Sequence, residues 1–166
     1  MSTMVLRIFL ESKPALYGLV GSGHLYLVLR DVSVDANGNV TSNVETVNDW
    51  VIHGFPNGSL THLEALEEPL LGSLDGYGAA GNEEATHPGD TVANRNSVDI
   101  TSYVLAGGGY ADAQSAWNAM ASYVNGIGAA DYDYELPDNF TNHIANSNST
   151  TLSVRSVPMK LSGYRD

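Results

Sequence analysis

Residues 24–30 read H-L-Y-L-V-L-R, an apolar run of strand-forming residues opened by His24 and preceded by G-S-G at 21–23. This is the clearest strand in the chain, and the rest of the fold is read outward from it. After it comes D-V-S-V-D-A-N-G-N-V-T-S, where Asn37-Gly38 is a strong hairpin-turn signal. A return strand is expected at Asp49–Gly54, D-W-V-I-H-G, closed by Phe55-Pro56-Asn57-Gly58. The two strands make an antiparallel pair. His24 opens one and His53 closes the other, so the two histidine-bearing ends should lie side by side.

Working outward, residues 4–10, M-V-L-R-I-F-L, read as a further strand. Leu60, Leu63 and Leu66 stand at helical spacing within residues 59–70, with Pro69 as a stop, and predict a helix there. The Gly-, Asn- and acid-rich stretch 72–97 predicts a long loop. V-D-I-T-S-Y-V-L at 98–105 predicts a strand, followed by a hinge-like turn at Ala106 and Gly107-Gly108-Gly109. Asp112 should cap a helix running to about Asn125, its apolar face made by Ala113, Trp117, Met120, Ala121 and Val124, with Gly126 ending it. A strand-like tail closes the chain. With no repeat, linker or break in composition, residues 1–166 read as one α+β domain.

Composition narrows the function. At 166 residues and 43% hydrophobic content, the chain is long enough and apolar enough for one substantial core. Its 7 basic against 19 acidic residues give a net charge of −12, which repels phosphate backbones and argues against nucleic-acid binding. There are no cysteines, so disulfides, a thiolate nucleophile and thiolate metal sites are all excluded. The first apolar run is too short for a secretory signal and is flanked by Arg7 and Glu11. No run approaches the roughly 18 apolar residues of a membrane span. The expectation is a soluble protein, cytoplasmic or exported by a route without such a signal.

Five histidines are present: His24, His53, His62, His87 and His143. His24 and His53 draw attention through their expected adjacency across one hairpin, although either alone is most often structural. His62 and His87 read as surface residues. No pair has the H-E-x-x-H spacing of a zinc hydrolase, and Gly107-Gly108-Gly109 lacks the Lys and Ser/Thr of a phosphate loop. Neither metal nor cofactor is expected. Asp35-x-Asn37-Gly38-Asn39 looks like part of a calcium loop, but its glycine comes two positions early and no closing glutamate follows. Asp131, Asp133, Glu135 and Asp138 form an acidic cluster, either a solvated face or a weak cation site.

Asn146-Ser147-Asn148-Ser149 precedes an expected short helix. Ser147 is therefore either a routine cap or a nucleophile at a helix N-terminus, where unpaired N–H groups stabilise an anion. As a nucleophile it needs an imidazole nearby, since its own hydroxyl is far too weak an acid. His143, four residues earlier, is a local alternative base.

Three stretches taken together, G-H-L-Y-L-V-L, W-V-I-H-G-F-P and Y-E-L-P-D-N-F-T-N-H-I-A-N-S-N-S, resemble the NlpC-type papain-like hydrolases. The order matches the circularly permuted members, including the lecithin retinol acyltransferase-like group, in which the histidine comes first and the nucleophile late. The resemblance spans roughly residues 20 to 157 and rests on about 25 positions, with the order of elements carrying the weight. It implies a papain-like antiparallel sheet with packed helices. It places Ser147 at the family's cysteine nucleophile, His24 at the general base and His53 at the residue orienting that base. The Ser147 N–H is then an oxyanion donor, with Asn146, Asn148 and Tyr134 (or Tyr132) as further candidates for binding substrate. The implied activity is hydrolysis of an amide or peptide bond, as in cell-wall peptide, through an acyl-serine intermediate. Serine in place of cysteine and the long hairpin between the histidines are the departures. They motivate two alternatives: an inactive papain-like module binding a peptide or glycan, and an acidic calcium-dependent interaction domain.

Overall fold

A computed structural model describes residues 3–14, 23–56, 62–70, 96–130 and 151. The chain builds β1 (Thr3–Pro14), β2 (Gly23–Val34), β3 (Val40–Ser42), β4 (Trp50–Pro56), β5 (Leu63–Pro69) and β6 (Asn96–Asp99). Two helices follow, α1 (Thr101–Gly108) and α2 (Ala113–Ala129). The strands form one sheet in the order β5-β4-β2-β1-β6, with β3 paired to β2, and each described pairing is antiparallel. The α+β class and the antiparallel sheet expected from sequence are both present.

The run around β2 lies at the centre of this sheet. β1 pairs along its whole length, from Thr3↔Val34 to Pro14↔Gly23, while β4 pairs on the other side through Leu27↔Ile52, Val28↔Val51 and Leu29↔Trp50. A strand with neighbours on both sides and burial on both faces has no polar side to show, which is why it reads as a continuous apolar run. On one face Ile8, Leu27, Leu29, Ile52, Leu63 and Ala65 pack against Val104 of α1 and Ala116, Trp117, Met120 and Val124 of α2. On the other, Phe9, Tyr26, Val28, Val32, Val51 and Leu70 form a second buried cluster.

The Asn37-Gly38 turn is present, with Gly38 at φ 82, where a side chain would be strained. Asp35 holds it: Oδ1 accepts the backbone N–H groups of Asn37 at 2.8 Å and Asn39 at 2.9 Å, and Oδ2 accepts the Asn39 amide at 3.1 Å. The return is less direct than expected. The turn leads into the short β3, which pairs with β2 across a register shift, and the chain reaches β4 only afterwards.

Three sequence expectations are overturned. Residues 63–69 form a strand, not part of a helix. Three apart, Leu63 and Leu66 fall on opposite faces of that strand; the alternation that matters buries Leu63 and Ala65 against α2 while Glu64 faces solvent. Residues 98–105 are not one strand either: β6 ends at Asp99, and α1 starts two residues later. The Asp99 carboxylate accepts both the backbone N–H of Thr101 at 2.9 Å and its hydroxyl at 2.6 Å, a local bond that turns the chain out of the sheet. Thr101 Oγ1 in turn accepts the Ile8 N–H at 2.8 Å, tying the start of α1 to β1. The glycine run is accordingly shorter as a turn than expected, with Ala106–Gly108 helical and Gly109, at φ 66, the left-handed stop.

Finally, α2 does not end at Gly126. Asp112 caps it as expected, accepting the Ser115 N–H at 2.8 Å, but the helix continues through Gly126 and Gly128 to Ala129. At Gly128 the helix passes so close to β5 that a Cβ would overlap the Ala65 carbonyl oxygen. Packing against the sheet therefore outweighs the modest helix-breaking tendency of glycine.

Candidate functional site

β2 and β4 carry the two histidines singled out by sequence. His24 is the second residue of β2, with Lys13 as its β1 partner. His53 lies in the middle of β4, which runs on to Pro56, so it does not close the strand. The β2–β4 pairing ends at Leu27↔Ile52, so His53 lies one residue past it on β4. His24 stands three residues past Leu27 on β2. The two histidines thus occupy neighbouring strands, both beyond the end of the paired segment.

His53 is buried at 3% exposure, and its Nε2 lies 2.7 Å from Oε1 of Glu68 on β5. The contact is the diagonal kind expected of an antiparallel pair, since Glu68 is registered with Val51 and His53 with Leu66. A carboxylate only accepts hydrogen bonds, so the imidazole donates from Nε2.

Thr151 brings the late part of the sequence to the same strand. It lies in helical backbone, is fully buried, and donates its hydroxyl to the Leu25 carbonyl oxygen at 2.8 Å. Leu25 is the residue after His24, and Thr151 is four residues after Ser147. Ser147 itself lies outside the described residues, as do Asn146, Asn148, Tyr132, Tyr134, His143, His87, the acidic cluster at 131–138 and the side chain of His24. His62 is half-buried and precedes β5, so it does not sit on a surface helix.

A second polar cluster, which sequence reasoning missed, lies further along β2. Arg30 is 4% exposed and donates from Nε to Asp49, itself 1% exposed. Its Nη1 donates to Glu11 Oε1 at 2.9 Å and to Asn43 Oδ1 at 2.7 Å. Ser97 donates to Glu11 at 2.9 Å and Thr46 to Asp49 at 2.7 Å. The guanidinium also lies 5.8 Å from the centre of the Phe9 ring. Burial alone would lower the Arg30 pKa, but the charges of Glu11 and Asp49 and their hydrogen bonds outweigh it and push the pKa up. Such a closed arrangement binds β1, β2, β6 and the entry to β4 together. The available signal was an arginine ending an otherwise apolar run.

Among the described residues no three His, Asp or Glu side chains are grouped so as to hold a metal ion. In the calcium-like segment, the Asp35 carboxylate is engaged by its own turn, whose hydrogen bonds, led by that from the Asn39 side chain, lower its pKa. No described helix is long and apolar enough to cross a membrane. No protein-family model matches this sequence, and neither curated proteins nor solved structures give a match.

Proposed function

We propose that this chain is a papain-like hydrolase of the circularly permuted NlpC type, cleaving an amide or peptide bond through an acyl-serine intermediate. Ser147 is the nucleophile, His24 the general base and His53 the group that orients it. The observation that carries this reading is the Thr151 hydroxyl bond to the Leu25 carbonyl. It ties the segment that follows N-S-N-S to the residue that follows His24, in the chain order of the permuted family. The position of His53 on β4, the strand paired with β2, supports it as the third member.

The chemistry follows from the roles. As Ser147 Oγ attacks the substrate carbonyl, His24 removes the hydroxyl proton, and the tetrahedral oxyanion is stabilised by the Ser147 N–H at a helix start. Collapse breaks the C–N bond, and His24 returns the proton to the leaving amine. Water, deprotonated by the same imidazole, then releases the acid and regenerates the serine. Asn146, Asn148 and Tyr134 are the candidates for holding the substrate, a peptide or cell-wall-like peptide.

A fluorophosphonate probe tests the assignment directly. The wild type should form one covalent adduct at Ser147, while Ser147→Ala should form none and His24→Ala should react far more slowly. Equal labelling of wild type and Ser147→Ala would sink the reading. A folded wild type that takes no label would point to a binding module with the catalytic step lost.

A further inference from the structure

β1 runs past the strand that borders it. β6 pairs with it only from Phe9↔Asp99 to Ser12↔Asn96, whereas β2 pairs with it from Thr3 onward. Among the described residues, Thr3 to Arg7 therefore has a neighbouring strand on one side alone. Ile8 shows which way the backbone points. Its N–H is bonded to Thr101 Oγ1 at 2.8 Å, and its carbonyl accepts the Ile100 N–H at 2.9 Å, so both groups face away from β2. Backbone direction alternates along a strand, and the β1–β2 register is unbroken, so the N–H and C=O of Leu6 and Met4 face the same way. Neither residue's outward groups find a hydrogen-bond partner among the described residues.

Such an edge is a template for a further strand, and proteins usually blunt it with lysine, proline, a bulge or extreme shortness. T-M-V-L-R at 3–7 has none of the first three. Met4 is 61% exposed, while Val5 and Leu6 are only partly buried. Charge and symmetry select the partner. The chain carries −12 overall, yet residues 3–10 contain no acid, and the one cation there, Arg7, already faces Asp99 at 3.8 Å. The stretch is also complementary to itself. Set antiparallel to its own copy about a two-fold axis at Val5, Met4 meets Leu6 as a hydrogen-bonded pair and Val5 meets Val5. Arg7 meets Thr3, not a second arginine. Ile8, its outward groups already engaged, ends the ladder where the free stretch ends. We propose that, apart from any catalysis, Thr3–Arg7 is a self-association edge at which two copies of this chain join their sheets, β1 against β1. Five residues of strand bury far less than the roughly 800 Å² per partner of a standard interface, so the dimer is weak and reversible.

Sedimentation of the full chain tests this. Over about 0.01–1 mM protein, a range suited to so small an interface, the wild type should pass from monomer towards dimer. Salt should strengthen the association, because it screens the repulsion between two acidic copies. Met4→Pro removes an outward N–H at an edge position where proline is tolerated, and should stay folded by circular dichroism yet remain monomeric. Met4→Lys keeps the backbone intact and places a charge at the join, and should also lose the dimer. Amide exchange reads the same edge without a mutation: the Met4 and Leu6 amides should exchange more slowly at the highest protein concentration than at the lowest. A wild type that stays monomeric throughout would overturn the proposal. So would dimerisation that weakens with salt, dimers retained by folded Met4→Pro or Met4→Lys, or Met4 and Leu6 amides indifferent to concentration.

Discussion

Two glycines in the last turns of α2 provide an internal control on the packing. Among the described residues nothing lies within 4 Å of the position a Cβ on Gly126 would take, whereas a Cβ on Gly128 would overlap the Ala65 carbonyl oxygen of β5. Replacing glycine by alanine inside a helix ordinarily stabilises by about 0.5–1 kcal/mol, through the smaller backbone entropy lost on folding. Gly126→Ala should realise the lower part of that gain, because it lies near a helix end. Gly128→Ala receives the same gain but forces a methyl against backbone, which cannot rotate aside, so α2 must lift from β5. Overpacking of this kind costs about 1–3 kcal/mol, leaving a net loss of about 1–2 kcal/mol. The variants should then differ by roughly 2 kcal/mol, or about 4–8 °C in Tm for a domain of this size. Urea unfolding followed by circular dichroism measures both, with unchanged m-values as the check that only stability has moved. Gly128→Ala at or above wild-type stability would refute the close approach of α2 to β5.

The buried arginine network and the helix cap give two further tests. Arg30→Met leaves the Glu11 and Asp49 carboxylates buried without their shared cation. It should cost about 3–5 kcal/mol in urea unfolding, and adding Glu11→Gln should recover part of the loss. Asp112→Ala removes the cap on Ser115 and should lower Tm at neutral pH. The Ser115 backbone N–H, followed by its hydroxyl, holds the Asp112 carboxyl below its ordinary pKa. A depressed folded-state pKa means that the stabilisation is complete above the unfolded value and vanishes as pH falls through the folded one. The Tm gap between wild type and Asp112→Ala should therefore close on acidification below about pH 3.9. A gap that persists there would show the cap acting otherwise than through its ionised carboxylate.

What could be read along the chain was whatever is decided within a few residues. The apolar run of β2, the Asn37-Gly38 turn and the Asp112 cap each depend on neighbours in sequence, and each is where local chemistry put it. The Asp99–Thr101 bond is local too, but Val98–Leu105 is rich in strand formers and that composition masked it. Other features depend on distant partners. Arg30 meets Glu11 and Asp49 each 19 residues away, and no periodicity in the sequence announces that. The two glycines of α2 look like helix ends until β5 is seen against Gly128.

Misreading β5 had the largest consequence for the site. Taken as a helix, residues 59–70 give Glu68 no relation to His53, fifteen positions away. As a strand, the same residues acquire a register against β4, and Glu68 falls diagonal to His53 on the same face. The alternation that reveals the strand is blurred because Leu66, on the face opposite α2, is only half-buried, so buried and exposed positions do not separate cleanly. The His53–Glu68 contact thus depends on a strand whose identity is weakly written in its own residues. The order of His24, His53 and Ser147 along the chain suggests which groups meet. Only the β4–β5 register brings Glu68 beside His53.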